Sequence, residues 1–267
     1  MMTTEAKQDL LKRGWTRRNF GRISSLLAAG GAMPFYNEAA LAQLSAIGPL
    51  PSGAVKINAN ENPLGPCKEA AEAIHKVVGL GGRYMYEETF TLASILAELE
   101  GVKPSNVMPF GGSSDPLHRA VLAYTSPTKS LVMADPGYEA GQRAAQFIGA
   151  KVHRIPLTKA YRHDVKAMAA ADVNAGVLYV CNPNNPTGTI TPKEDIDWLV
   201  ANKPAGSILL LDEAYIHLSK SATPGSYLVA QDKDVVILRT FSKLYGMAGL
   251  RAGAAIGRAD LIEKLRS

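Results

Sequence analysis

The sequence has only two cysteines among its 267 residues, and they lie far apart, at Cys67 and Cys181. Neither belongs to a Cys-x-x-Cys pair or to a Cys/His ligand pattern, so the sequence indicates neither a disulfide framework nor a metal site. No apolar run reaches the roughly 18 residues of a membrane-spanning helix. Internal repeats and low-complexity tracts are also missing. These absences argue against a small fold held together by disulfides or metal ions, against a membrane-spanning protein and against a repeat protein.

Positive charge is concentrated near the N-terminus. The formal net charge is +5, but residues 1–42 hold six of the lysines and arginines and only three acidic residues. The remainder has 23 basic and 21 acidic residues, which is nearly balanced. Nucleic-acid binding needs a clustered basic face. The basic composition therefore predicts no nucleic-acid partner.

The N-terminal stretch has the order of an export signal. The basic segment "TRRNFGR" is followed by the weakly apolar "ISSLLAAGGAMPF" and then by Ala40 and Ala42 in an A-x-A arrangement. The adjacent Arg17 and Arg18 resemble a twin-arginine signal. A disordered basic leader is the alternative. We expect residues 1–42 to direct export by the twin-arginine route, which places this bacterial protein in the periplasm or otherwise outside the cytoplasm.

The rest of the chain alternates between strand-like and helix-like segments. Short apolar runs predict strands at 106–110, 130–135, 151–156, 176–181, 207–212, 234–239 and 252–257. Helices are predicted at 68–78, 91–101, 115–124, 139–149, 192–203 and 259–267. This alternation predicts an α/β fold with a mostly parallel seven-stranded sheet covered by helices on both faces. Ligands bind such sheets beyond the carboxyl ends of the strands.

Polar residues follow the first two strands. "GGSSD" contains Ser113 and Ser114 and opens a helix, and backbone N–H groups at such a helix start can bind an anion such as phosphate. An ordinary helix cap is the alternative. Tyr138 follows the second strand, where its ring could stack on a planar ligand. Partly buried packing is the alternative for this tyrosine.

Three further motifs follow later strands. "NPNNPTG" offers the amide of Asn185 to a ligand, although a rigid turn is the alternative. "DEAY" places Asp212 at the end of an apolar strand, where a carboxylate is costly to bury unless a cation meets it, and Tyr215 lies three residues on. A helix cap is the alternative for Asp212. In "TFSKLYGMAGLR", Lys243 lies just past a core strand; a loop lysine with a packed stem is the alternative.

These motifs together resemble a known family. "NANENPLGP" (58–66), "RYMYEE" (83–88), "NPNNPTG", "DEAY" and "TFSKLYGMAGLR" are similar to motifs of the fold-type-I pyridoxal-phosphate enzymes. Within these the chain resembles the class I/II aminotransferases, and most of all histidinol-phosphate aminotransferases, from about residue 55 to its end. After the export signal expected at 1–42, the resemblance implies an N-terminal arm at 43–75 and a pyridoxal-phosphate-binding large domain at 76–267, incomplete at its C-terminus.

The resemblance also implies roles for single residues. Lys243 would form a Schiff base with the aldehyde of pyridoxal 5′-phosphate and then move a proton as the catalytic base. Asp212 would hold the pyridine nitrogen protonated, Tyr138 would stack on the ring, and Asn60 would contact substrate. The ring 3′-oxygen would contact Asn185 and Tyr215, and the phosphate would bind Ser113, Ser114, Thr240, Ser242 and Arg251. Tyr84 would reach the phosphate of a neighbouring subunit, which implies a homodimer.

Two departures from the family pattern qualify these expectations. "RYMYEE" lacks the proline usual after the tyrosine. Family members also continue for roughly another hundred residues, which form most of a small C-terminal domain carrying the arginine for the substrate carboxylate. We therefore expect a C-terminally truncated fragment of an aminotransferase that uses an amino acid, or a histidinol-phosphate-like amine, and a 2-oxo acid. A decarboxylase or lyase on the same scaffold, and a cofactor-binding fragment without catalysis, are the alternatives.

Overall fold

The computed structural model describes residues 8, 11–12, 16 and 52–266. Apart from the four isolated positions, the predicted export signal at 1–42 lies outside the described residues. The first part of the predicted arm, over residues 43–51, lies outside them too.

A seven-stranded sheet forms the centre of the described chain. Its order is β1-β7-β6-β5-β4-β2-β3. The strands are β1 (Val107–Phe110), β2 (Ser130–Asp135), β3 (Val152–Pro156), β4 (Ala175–Cys181), β5 (Ile208–Asp212), β6 (Val235–Thr240) and β7 (Gly253–Gly257). Strand β7 is antiparallel to both neighbours, and the remaining pairs are parallel. The predicted mostly parallel sheet is confirmed.

Helices connect the strands and cover both faces of the sheet. They are α1 (Lys68–Val78), α2 (Tyr86–Glu100), α3 (Ser114–Tyr124), α4 (Ala140–Phe147), α5 (Val165–Ala170), α6 (Lys193–Asn202), α7 (Ser226–Ala230) and α8 (Ala259–Glu263). Short 3-10 turns lie at Pro104–Asn106, Ile216–Leu218 and Ala248–Leu250.

The central strands are buried on both faces, which explains their nearly continuous aliphatic sequences. Successive side chains point to opposite faces, so β5 divides its leucines between two cores. Leu210 packs with α3 and α4 in one core, whereas Leu209 and Leu211 pack with α5 and α6 in the other. Successive polar side chains at the strand ends therefore also point to opposite faces of the sheet.

Most predicted elements agree with the structure, with differences at their ends. Helix α2 begins five residues before the predicted 91–101, directly after Met85, whose backbone is left-handed with φ 49°. The predicted final helix, 259–267, ends earlier, at Glu263. Helices α5 and α7 were not predicted because each is too short to show a helical period. The boundary drawn between residues 75 and 76 falls inside α1.

Within residues 52–266 and the four isolated positions, no helix combines the length and the apolar character needed to cross a bilayer. The same part of the chain contains no cluster of histidine, cysteine, aspartate and glutamate side chains arranged to hold a metal ion.

Candidate active site

One cleft lies at the carboxyl ends of the parallel strands, and it brings together ten of the twelve predicted site residues. Its lining consists of Ser113, Ser114, Tyr138, Cys181, Asn185, Asp212, Ala214, Tyr215, Thr240, Ser242, Lys243 and Arg251. These residues follow five different strands, so only the folded sheet makes them neighbours. Of the lining residues, Cys181 and Ala214 were not predicted.

Asp212 ends β5 and is almost completely buried. Its Oδ2 accepts a hydrogen bond from the Tyr179 hydroxyl at 2.8 Å, and its Oδ1 accepts one from the Ala214 N–H at 3.1 Å. Burial, and next the charge of Asp212, raise the pKa of Tyr179 well above its ordinary value, so this phenol stays a donor. Both oxygens of the Asp212 carboxylate therefore accept hydrogen bonds from the protein.

Cys181 ends β4 directly opposite Asp212 in the parallel register. Its thiol donates to the Pro183 carbonyl oxygen at 3.3 Å. Burial, followed by the charge of Asp212, raises the thiol's pKa well above its ordinary value. Cys181 thus contributes a neutral thiol, and not a thiolate nucleophile, to the wall of the cleft.

The Lys243 amine lies between the cleft and the 58–66 segment. The residue is only 8% exposed, and its Nζ donates to the Asn60 carbonyl oxygen at 3.0 Å and lies 5.5 Å from the centre of the Tyr215 ring. The Asn60 side chain donates to the Tyr215 hydroxyl at 3.0 Å, and Asn185 approaches the same hydroxyl at 3.5 Å. Asn60 therefore contacts the site through both its backbone and its amide.

A set of hydroxyls, N–H groups and one guanidinium forms the other end of the cleft. Arg251 donates to the Gly111 and Ala248 carbonyls at 3.1 and 2.8 Å, and lies 3.4 Å from the Ser242 hydroxyl. The 11-residue helix α3 begins at Ser114, so its N-terminal N–H groups lie beside this guanidinium. Such a combination suits an oxyanion with several oxygens.

Gly112 allows this close arrangement. Its φ is +94°, and a Cβ atom built on it would overlap the Arg251 guanidinium, at 2.9 Å from Cζ. Glycine is the residue that tolerates both the backbone angle and the approach.

Buried hydrogen bonds fix the base of the "NPNNPTG" loop. The Asn182 amide and the Thr191 backbone exchange two hydrogen bonds, both at 3.0 Å. Nδ1 of the buried His163 lies 2.8 Å from the Thr191 hydroxyl. Burial lowers the pKa of His163 to about 4, so this imidazole is neutral near neutral pH. The network holds the base of the loop that carries Asn185.

A buried ionic cluster lies on the opposite face of the sheet from Asp212. Arg239 donates to both carboxylate oxygens of Glu100 at 2.8 and 2.9 Å, and also pairs with Glu213. Glu213 is fully buried and accepts from the Gly225 N–H at 2.7 Å. Burial alone raises the pKa of Glu100, but Arg239 outweighs it and holds that pKa below its ordinary value. The cluster joins α2 to the ends of β5 and β6.

The 58–66 segment is attached to the loop that carries Lys243. The Asn62 amide donates to the Leu244 carbonyl at 3.0 Å. Gly246, with φ +65°, lies directly against the Gly65 carbonyl, and a Cβ atom there would overlap it. The "NPLGP" and "KLYG" sequences thus meet as two backbones in contact.

Tyr84 does not line the cleft. Its side chain is 88% exposed and stacks on Tyr86, with ring centroids 5.6 Å apart. Within the single chain, this predicted phosphate ligand therefore contributes nothing to the site that the other residues form.

The residues present fit pyridoxal 5′-phosphate. The cleft offers an anion-binding end, a buried carboxylate held by two donors for a basic ring nitrogen, and a lysine amine for an aldehyde carbon. Tyr138 and Cys181 belong to its wall. The overlap that a side chain at Gly112 would cause shows that the anion-binding end is built around Arg251.

Tyr179 is the contact that motif reasoning missed, because it lies inside a strand and not after it. A signal was present: a hydroxyl interrupts the aliphatic run "GVLYVC" on the face that also carries Cys181. The sequence shows Glu213 and Arg239 as opposite charges at the ends of two strands. Whether these two side chains lie next to each other depends on the strand order.

Comparisons with known proteins agree with this geometry. The family model described as Aminotransferase class I and II matches residues 52–267. A histidinol-phosphate aminotransferase from Moorella thermoacetica is 37% identical over 215 residues, which cover 79% of this chain and 55% of that protein. An aromatic amino acid aminotransferase from Rhodococcus opacus is 36% identical over 214 residues, which cover 80% of this chain and 60% of that protein.

Among solved structures, the chain is similar to histidinol-phosphate aminotransferase from Sinorhizobium meliloti in complex with pyridoxal-5′-phosphate. The TM-score is 0.72 at 28% identity, with 78% of this chain and 57% of that chain covered. The chain thus spans between half and two thirds of the length of these relatives.

Proposed function

The chain belongs to the class I and II aminotransferase family, and we propose that it is the large-domain part of a pyridoxal-phosphate-dependent aminotransferase. The reaction moves an amino group between an amino acid, or an amine such as histidinol phosphate, and a 2-oxo acid. One observation carries the proposal: the buried Lys243 amine shares a single cleft with Asp212 and with the anion-binding end at Arg251.

When bound, pyridoxal phosphate supplies an aldehyde that lysine attacks and a ring that accepts electrons from the substrate. Lys243 would hold it through Nζ, and Asp212 would hold the proton on the ring nitrogen with a charge-assisted hydrogen bond. Arg251, Ser242 and the start of α3 would bind the phosphate. Asn185 and Tyr215 would hold the ring oxygen, and Tyr138 would stack on the ring.

The lysine also moves the proton. As a free amine, the Lys243 Nζ would act as the base that takes a proton from the substrate Cα. The Asn60 carbonyl, which accepts from Nζ at 3.0 Å, holds the amine at this end of the cleft. The Asn60 side chain lies at the same point, next to Tyr215, where it contacts substrate.

A second copy of the chain completes the site in this proposal. Tyr84 is exposed and does not line its own cleft, which supports a homodimer in which it reaches the partner's phosphate. The coverage of 55% and 60% of the relatives' length supports a complete protein with a C-terminal small domain that binds the substrate carboxylate.

Export is a separate part of the proposal. Arg17 and Arg18, followed by Ala40 and Ala42, support a twin-arginine signal. This route carries folded proteins, which suits a protein that takes up its cofactor in the cytoplasm. Changing both arginines to lysine should retain the protein in the cytoplasm; unchanged periplasmic accumulation would refute this signal.

The proposed function is tested first through cofactor attachment. The protein mixed with pyridoxal phosphate should absorb visible light, and borohydride should fix the cofactor on the peptide that contains Lys243. Lys243→Ala should abolish the adduct, whereas Lys220→Ala, a nearby exposed lysine, should keep it. An adduct that persists in Lys243→Ala would overturn the assignment.

Turnover identifies the reaction. The full-length protein is assayed with 2-oxoglutarate and either histidinol phosphate or an aromatic amino acid, because the relatives' names divide between these donors. Glutamate formation is the expected result. Release of carbon dioxide without glutamate would replace the transferase proposal with the decarboxylase alternative.

A further inference from the structure

We propose that Tyr179 is a positioning residue, which acts through Asp212 and fixes its carboxylate before the cofactor arrives. The inference rests on the proposed function, because Asp212 is the residue that meets the cofactor's ring nitrogen. Tyr179 itself does not line the cleft.

The register of the sheet produces this contact. Strand β4 pairs with β5 so that Tyr179 lies beside Leu210, and Cys181 beside Asp212. The tyrosine side chain therefore begins two residue pairs below the strand ends and extends to Asp212 Oδ2 at 2.8 Å. Both residues are at most 3% exposed.

The two donors to Asp212 hold different oxygens. The Tyr179 hydroxyl donates to Oδ2, and the Ala214 N–H donates to Oδ1. An ionised carboxylate offers about four acceptor positions, more than the two that these donors use. With both oxygens held, the carboxylate has one preferred rotation, and its remaining acceptor positions have fixed directions.

The physical consequence is preorganisation. A buried carboxylate that lacks the tyrosine donor gains by rotating towards another partner, and a ligand must then reverse that rotation when it binds. The cost of ordering a group appears in the affinity for the ligand. Because Tyr179 already orders the Asp212 carboxylate when the sheet folds, the cost of ordering it does not weaken cofactor binding.

A double-mutant cycle tests the coupling. Parent protein, Tyr179→Phe, Asp212→Asn and the double variant are titrated with pyridoxal phosphate, and the dissociation constant is read from the visible absorbance. Because hydrogen bonds to charged groups are stronger than neutral ones, Tyr179→Phe should raise the dissociation constant about tenfold in the parent. In the Asp212→Asn background the same change should have less than about a threefold effect.

A matched control separates this coupling from general loss of a buried hydroxyl. Tyr124 in α3 donates to the Leu261 carbonyl at 2.8 Å, away from the cleft. Tyr124→Phe should leave the dissociation constant unchanged. Equal effects of Tyr179→Phe in both backgrounds, or no effect in the parent, would overturn the proposal.

Thermal unfolding without cofactor provides the second reading of the same cycle. Tyr179→Phe should lower the midpoint in the parent and much less beside Asp212→Asn. If Tyr179→Phe alone precipitates, a soluble double variant supports the coupling, and a precipitating double variant refutes it. If the parent fails to bind pyridoxal phosphate, the proposed function falls, while this cycle still decides whether the two residues are coupled.

Discussion

The Arg251 guanidinium lies directly over Gly112, from which it is separated by 139 positions in the sequence. Both residues have left-handed backbones, with φ 55° at Arg251 and φ +94° at Gly112. The loop after β1 and the loop before β7 therefore build the anion-binding end together. Neither loop would hold this geometry with a larger residue at Gly112.

Gly112→Ala should weaken cofactor binding. The new methyl group would push the guanidinium away from its place beside Ser242, and we expect the dissociation constant for pyridoxal phosphate to rise about tenfold or more. Gly206→Ala is the control, because Gly206 also has a positive φ, +76°, but has no neighbour within 4 Å. Both variants should lose about 1–2 kcal/mol of stability. Equal affinities in the two would show that the Arg251 contact does not govern binding.

Arg239→Met should destabilise the fold strongly. It leaves Glu213, which is fully buried, without its cation. Breaking a buried pair by removing one partner costs about 3–5 kcal/mol, so the urea midpoint should fall markedly. Arg266→Met, which removes one partner of an exposed pair with Glu263, should hardly change the midpoint. A similar midpoint for both variants would contradict the importance of the cluster.

His163 should contribute to acid sensitivity. Its pKa is about 4 in the folded protein and near 6.5 in the unfolded chain, so the unfolded state binds the extra proton between these values. Stability is therefore unaffected by this group above about pH 6.5 and falls as the pH drops towards 4. The loss is about 2 kcal/mol at pH 5.

His163→Gln should reduce this loss, because glutamine does not titrate and can still bond to Thr191. The comparison uses urea unfolding at pH 7 and pH 5, with His75→Gln on the exposed face of α1 as the control. A parent and a His163→Gln variant that lose the same stability between the two pH values would exclude this histidine as the cause.

Asn62→Ala should loosen the 58–66 segment. The variant lacks the hydrogen bond to the Leu244 carbonyl, and we expect trypsin to cleave after the exposed Lys56 several times faster. Asn106→Ala removes a comparable bond, to the Gly257 carbonyl, at a distant point. It should leave the rate at Lys56 unchanged. An unaltered rate in Asn62→Ala would mean that other contacts hold the segment.

The sequence was most informative where a polar or charged residue directly follows a predicted strand. Parallel strands end at one edge of the sheet, so the residues just after each strand could be collected into one site before the structure was known. This reasoning drew attention to Lys243 and Asp212 without any knowledge of strand order, whereas the role of Arg251 was implied by the family resemblance. It also predicted the alternation of strands and helices closely enough to specify the sheet.

Contacts that depend on strand order could not be found in this way. Tyr179 reaches Asp212 only because β4 lies next to β5, and Arg239 meets Glu213 only because β6 lies on the other side. The direction of β7 is a further example. Its short apolar sequence resembles those of the parallel strands, and its antiparallel pairing with β6 follows from the short connection through the Arg251 loop.

The two carboxylates at the end of β5 also bear on how this strand finds its alignment. Its aliphatic run is buried on both faces, so a slip of one residue would bury similar hydrocarbon and hydrophobicity alone does not oppose it. A slip in one direction would put Leu211 at the position of Asp212. A slip in the other would put Ala214 at the position of Glu213 and leave Arg239 facing a methyl group. The charged residues at its end therefore select the register of β5, because its apolar sequence does not.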